Sequence, residues 1–301
     1  MKITVVGLGL IGGSIALDLR KAGMATELVG LDLNAEHAAK AVELGLVDKI
    51  EPEDMAFASS DVVILSIPVS AICALLPSIL DAVDKKNTVV IDVGSTKSQI
   101  CKAASNHPNR SHFVAAHPLA GIENSGPDAA LAGLFTGKTN IICEKEKSSD
   151  YALTLANRIF GAIGVKTIFM DPEEHDKHVA YVSHLSHVSS FLLSQTVLDI
   201  EKDEKNIFAL ASTGFASTVR LAKSSPETWA PIFEQNSEYL SQALLEYIIH
   251  LQKFHYHLVK HDSKELQRIL SRANEIRRVL EGIELKNSKK EIPVVAGVPK
   301  V

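Results

Sequence analysis

In the stretch "FVAAHPLAGIE" a run of small apolar residues stops at His117, and Pro118 keeps it from continuing. An imidazole titrates in the range where a side chain can take and return a proton. The following proline restricts His117 to extended backbone, which helps to fix where its ring points. A lone histidine is as readily a satisfied structural group, so its surroundings decide. In "VVIDVGSTKSQI" a strand ends at Gly94 and Ser95 and Thr96 follow. If Thr96 caps the next helix, with Gln99 completing a capping box, the Ser95 hydroxyl stays free at the same sheet edge. Removing a hydroxyl proton as a hydride departs is chemistry that such a pair serves.

A third group sets what accepts the hydride. "VVGLGLIGGS" spaces Gly7, Gly9 and Gly12 as G-x-G-x-x-G between a strand and a helix. That spacing provides a tight turn, close approach of backbone to a pyrophosphate, and close helix-on-strand packing, with the helix N-terminus facing the phosphate charge. Leu10 and Ile11 lie inside the turn, and Ser66 and Pro68, at the end of "DVVILSIP", complete the expected cofactor contacts. Asp32 ends "ELVGLD" twenty residues after Gly12, where a carboxylate accepts the hydroxyls of an adenosine ribose. Leu33 and Asn34 follow it, and no Arg or Lys occurs until Lys40. A 2′-phosphate would meet the carboxylate with no guanidinium beside it, so NAD is expected over NADP.

The elements that must hold these residues follow from periodicity. Up to about Met170 short apolar runs ("KITVVGLG", "ELVGLD", "DVVILSIP", "TVVIDVG", "HFVAAH", "TNIIC", "KTIFM") alternate with amphipathic helical windows. The pattern predicts a parallel sheet with helices on both faces. From Asp171 only helical periodicity remains, with a new helix starting at Pro226. The fold class is therefore an α/β Rossmann-type dinucleotide-binding domain over residues 1–170, followed by an all-α dimerisation domain over 171–285. Residues 286–301 have neither period and are expected to form a flexible tail.

Composition narrows the classes. Of 301 residues, 46% are hydrophobic and 22% charged, enough for one large or two ordinary cores. With a net charge of −5 and Lys and Arg spread along the chain, no basic stripe points to nucleic acid. The apolar N-terminus is interrupted by glycines and lacks a cleavage pattern or membrane-length run, so neither export nor a membrane partner is expected. Cys73, Cys101 and Cys143 are odd in number and form no CxxC pair, which suits a reducing, cytoplasmic location. Apolar faces such as "YLSQALLEYIIHL" predict a homodimer through the helical half. His184 and His187 share a helix face but lack a third ligand, so no metal is expected. No chemistry is assigned to His250, His257 and His261. Arg220 presents a planar fork suited to a carboxylate, although from sequence alone Lys223 fits as a solvated or binding charge equally well.

"GLGLIGGS", "DVGSTK", "HPLAGIE", "HDKHVAYVSHLSH" and "TVRLAKSSPETW", in this order and spacing, resemble the prephenate dehydrogenase family from Met1 to about Leu285. That family includes the arogenate and cyclohexadienyl dehydrogenases of tyrosine biosynthesis. The resemblance implies an NAD-dependent oxidative decarboxylation of a small ring substrate. It makes His117 the hydroxyl's acceptor and base, with Ser95 positioning that hydroxyl and the nicotinamide. It places His187 and His184 in the substrate pocket and gives Arg220 a substrate carboxylate. It makes Glu123 a gate for substrate entry and brings Trp229 to an active site across a dimer interface. Ser186 stands where many relatives carry proline, and Ser217 where some carry an Asp of an acidic gate. Prephenate and arogenate remain alternatives. So does a non-catalytic NAD-binding sensor, against which the joint presence of Ser95, His117, His187 and Arg220 argues.

Overall fold

The computed structural model describes residues 1–83, 87–202 and 206–288. Eight strands form one sheet: β1 (Lys2–Val6), β2 (Glu27–Leu31), β3 (Lys49–Ile50), β4 (Val62–Leu65), β5 (Val89–Asp92), β6 (Phe113–Pro118), β7 (Thr139–Cys143) and β8 (Lys166–Met170). Their order is β3-β2-β1-β4-β5-β6-β7-β8. The first six run parallel. β4 and β5 are buried at every position, as strands covered on both faces must be. One apolar core, including Ile3, Val5, Ile15 and Phe160, fills one side of the sheet. Val63, Leu65, Ile72 and Phe113 belong to the other.

The sheet departs from the sequence-based expectation in two places. β3 is only two residues long, too short for a periodic signal. β7 runs antiparallel to β6. A parallel return needs a long crossover, usually a helix, whereas the glycine-rich connection from Leu119 to Lys138 has only the single 3-10 turn Pro127–Ala129. The chain therefore comes back beside β6 directly. The helix Asp150–Ala162 then restores a parallel crossover to β8.

The compact unit holding the sheet runs from Met1 through Ala243. It includes the helix Pro172–Val179, a π turn at Ala180–His184, and the helices Leu185–Glu201 and Thr213–Thr218. It also includes the helix Pro226–Gln235, where Pro226 takes the first turn as expected and Ser225 caps the Thr228 amide. The helix Ser237–Val259 runs through the division into a second unit. Within that unit Asp262 caps the helix Ser263–Ala273. The helix Arg277–Ser288 carries the chain beyond the expected end of the helical half; the rest of the tail, 289–301, lies outside the described residues. No helix among the described residues is long and apolar enough to cross a membrane.

Candidate active site

The connections that follow the parallel strands leave their carboxyl edge, where open α/β sheets bind ligands. After β1, Gly7 adopts φ +90°, and a Cβ there would stand 2.3 Å from the Ser66 carbonyl oxygen. A Cβ on Gly12 would lie 2.0 Å from the Gly7 carbonyl oxygen, so both positions exclude side chains through backbone alone. Gly9 differs: only the Gly126 nitrogen, 3.9 Å away, would meet its Cβ. Gly9 precedes the helix Leu10–Lys21, whose first residues are Leu10 and Ile11. The open space above it, facing helix amides with no side-chain cap, suits an approaching phosphate. Asp32, after β2, accepts the Leu8 amide at 2.8 Å and the Asn34 amide at 2.9 Å. Each carboxylate oxygen keeps a second lone pair for a ribose hydroxyl. Ser66 follows β4, its amide held by the Val6 carbonyl at 2.7 Å, and Pro68 precedes the helix Val69–Ala82. These residues fit a dinucleotide.

The turn after β5 is built differently from the capping box that sequence suggests. The helix starts only at Ser98, and Thr96 donates its hydroxyl to Gln235 at 2.7 Å. The carboxylate that receives the helix's first amides comes from elsewhere: Asp176 accepts from Lys97 N at 2.7 Å and Ser98 N at 2.9 Å. A partner brought in by the tertiary fold thus displaces the local cap. The Ser95 hydroxyl, half-buried, makes no hydrogen bond among the described residues. Lys97 is fully buried; its ammonium pairs with the Asp92 carboxylate and donates to the Ala116 carbonyl at 2.7 Å. Asp92 in turn accepts the Ala116 amide at 3.2 Å. This ion pair ties the end of β5 to the residue before His117.

His117, at the end of β6, has a partner that the sequence did not disclose. Its Nδ1 lies 2.8 Å from His175 Nε2, and His175 Nδ1 lies 2.7 Å from Asp176 Oδ1. Burial, reinforced by the neighbouring His175, Lys97 and His184, holds the His117 imidazole well below the usual histidine range. Burial also lowers His175, against the opposing pull of Asp176. For Asp176, burial is outweighed by the bonds from His175 and the Ser98 and Lys97 amides, which keep its carboxyl below the usual range.

The helices after β8 supply a second wall. His184 is buried in the π turn, and its Nδ1 meets the Asn236 amide nitrogen at 3.0 Å. That same nitrogen donates to the Asp176 carbonyl at 2.8 Å, which fixes the amide's orientation. Burial pushes His184 down to about 4. His187 lies flat on Trp229, centroids 3.4 Å apart and planes at 24°. Its Nδ1 reaches the Ser183 carbonyl at 3.0 Å. Burial lowers His187 too, and the Arg220 charge adds to the effect. Trp229 thus stacks on His187 within its own chain. Arg220, in a 3-10 turn, pairs with Glu123 at 2.7 Å. The expected gate residue and the expected clamp are thus in direct contact, with Ser217 in place of an acidic third member.

Fold and site together define a dehydrogenase of the dinucleotide-binding class. The chain belongs to the prephenate dehydrogenase family: residues 15–169 match its nucleotide-binding domain and residues 171–272 its dimerization domain. It is 30% identical over 282 residues to the prephenate dehydrogenase of Bacillus subtilis, covering 91% of this chain and 75% of that protein. Among solved structures it resembles the Aquifex aeolicus prephenate dehydrogenase in complex with hydroxyphenyl propionate and NAD+, with a TM-score of 0.82 and 30% identity over 93% of this chain and 98% of that one. It also resembles Synechocystis arogenate dehydrogenase, with a TM-score of 0.72 and 30% identity over 93% and 100% of the two chains.

Proposed function

We propose that this chain catalyses the NAD-dependent oxidative decarboxylation of prephenate to 4-hydroxyphenylpyruvate. NAD, when bound, supplies the hydride acceptor for an oxidation in which the ring carboxylate leaves as carbon dioxide and the ring becomes aromatic. His117 accepts the hydrogen of the substrate hydroxyl and returns it once the ring oxygen has gained the electrons of the broken carbon–carbon bond. Ser95, with its free hydroxyl at the end of the neighbouring strand, positions that hydroxyl. Arg220 pairs with a substrate carboxylate, and His187, His184 and Trp229 line the ring's pocket. Glu123 competes for Arg220 until the substrate arrives. The single observation that carries this reading is an imidazole, held neutral by burial, at the same sheet edge as a dinucleotide turn.

Asp32 supports NAD rather than NADP, since its carboxylate stands at the ribose position with each oxygen accepting a backbone amide, and the residue beside it is the fully exposed, uncharged Leu33. The match to a dimerization domain and exposed Leu245, Ile249, Leu251 and Leu258 support a homodimer through the helical part. Three free thiols support a reducing, cytoplasmic setting. The arogenate-acting relative keeps a second substrate in view, because the two differ only in the side chain distant from the reacting hydroxyl. Purified protein with NAD and each substrate in turn, followed by NADH absorbance, tests the reading: turnover with neither removes it.

A further inference from the structure

We infer that Asp176, acting through His175, holds His117 in the tautomer protonated on Nδ1, so that Nε2 is left as the proton acceptor. The argument is a chain of donors and acceptors. Asp176 Oδ1 accepts from the Lys97 amide and Oδ2 from the Ser98 amide, and a carboxylate has only lone pairs to offer. At 2.7 Å from Oδ1, His175 Nδ1 must therefore carry the hydrogen. His175 is fully buried and kept neutral, so its Nε2 bears a lone pair. The 2.8 Å contact to His117 Nδ1 then has one assignment, with His117 donating and His175 accepting. A neutral imidazole protonated on Nδ1 has its lone pair on Nε2. An imidazolium at His175 would reverse the last bond and put the hydrogen of His117 on Nε2, where it could accept nothing.

The same relay acts during turnover. When Nε2 takes the substrate hydrogen, Nδ1 keeps its bond to His175, and the Asp176 charge two links away offsets the new positive charge. Burial and the groups facing His117, a protonated His175, the Lys97 ammonium and the His184 ring, disfavour that charge; with His175 neutral, the Asp176 carboxylate beyond it is the compensating charge that the other neighbours do not supply. Asp176 and His175 are positioning residues. The hydrogen-bond inference stands on the geometry, and its consequence for rate rests on the reading of His117 as the substrate's acceptor.

The test is a long-range proton–nitrogen correlation spectrum of the full-length protein labelled with 15N-histidine at neutral pH, with the His117 signals identified by their loss in His117→Asn. The expected wild-type pattern has hydrogen on Nδ1; hydrogen on Nε2 overturns the inference without any further variant. In Asp176→Asn the side-chain amide can donate to His175 Nδ1, which reverses both bonds, and His117 should switch to the Nε2 tautomer. His175→Phe keeps a ring of similar size and removes the acceptor, so it should abolish the fixed tautomer even if the Asn variant folds poorly. In either folded variant kcat should fall at least tenfold with KM for substrate changed less than threefold. An unchanged tautomer in both variants sinks the relay. A switched tautomer with unchanged kcat keeps the relay and sinks the assignment of His117 as base, so the two failures are distinguishable.

Discussion

The guanidinium of Arg220 donates to the carboxylate of Glu123 at 2.7 Å, joining the turn before the helix Pro226–Gln235 to the loop that follows β6. Half of the Arg220 side chain is exposed, so the pair adds little to stability. On the proposed reading its significance is competition, because a substrate carboxylate and Glu123 would require the same planar donor face.

Arg220→Ala should raise the KM for substrate by about 1.5 to 3.5 orders of magnitude, corresponding to roughly 2 to 5 kcal/mol for a stranded charge partner, while leaving the affinity for NAD unchanged. Arg220→Lys should recover part of the loss, because an ammonium offers a point charge without the fork. Glu123→Gln should act in the opposite direction and lower KM by weakening the competitor. Steady-state kinetics of the three variants decide it; unchanged KM in Arg220→Ala would place the carboxylate clamp elsewhere.

His117→Asn should lower turnover by about two to four orders of magnitude with binding nearly intact. Because burial holds His117 below the usual value, the ring is already neutral at pH 7. The acid limb of kcat/KM should therefore begin below pH ~6.5, the ordinary histidine value. A pH–rate profile that breaks near 7 would show that another group governs the rate.

Lys97→Met should destabilise the fold by about 3 to 5 kcal/mol, since it strands the Asp92 carboxylate in a dry interior. Denaturant unfolding gives the number. A loss under 1 kcal/mol would mean that Asp92 is satisfied by the Gly94 and Ala116 amides alone.

Acid should weaken the fold before it reaches the carboxylates. The unfolded chain protonates His184 near the ordinary value of about 6.5, whereas the folded chain waits until about 4. Between those values the unfolded state binds more protons, so stability is complete above the window and drains as pH falls through it, by up to roughly 3 kcal/mol. His117, His175 and His187 shift in the same direction. Melting temperatures from pH 7 to 4.5 should fall steadily, and His184→Asn should flatten the slope.

Asp32→Ala should reduce the preference for NAD over NADP, measured as the ratio of the two catalytic efficiencies, because the carboxylate both accepts ribose hydroxyls and repels a 2′-phosphate. If the wild-type protein already prefers NADP, Asp32 does not face the ribose.

The parts legible in the sequence were those written in consecutive residues. Gly7, Gly9 and Gly12 declare their turn by spacing, and Pro118 marks the end of β6. What escaped was carried by long separations. His175 and Asp176 stand in "HDKHVAYVSHLSH" with no local signal of a role, because the bond to His117 spans 58 residues and the cap on Ser98 spans 78. That distant carboxylate also explains why Thr96 and Gln99, a plausible local cap, do not act as one. The direction of β7 was hidden for a similar reason: an apolar run does not state which way it points, and only the missing crossover helix tells.

Trp229 is the chain's sole tryptophan, and it lies against His187. All indole emission from a subunit thus originates at one wall of the proposed substrate pocket, next to a ring whose protonation or displacement alters quenching. If that pocket takes the substrate ring, the protein carries its own optical gauge of occupancy, and a titration with unreactive ring acids needs neither turnover nor an attached dye to be followed.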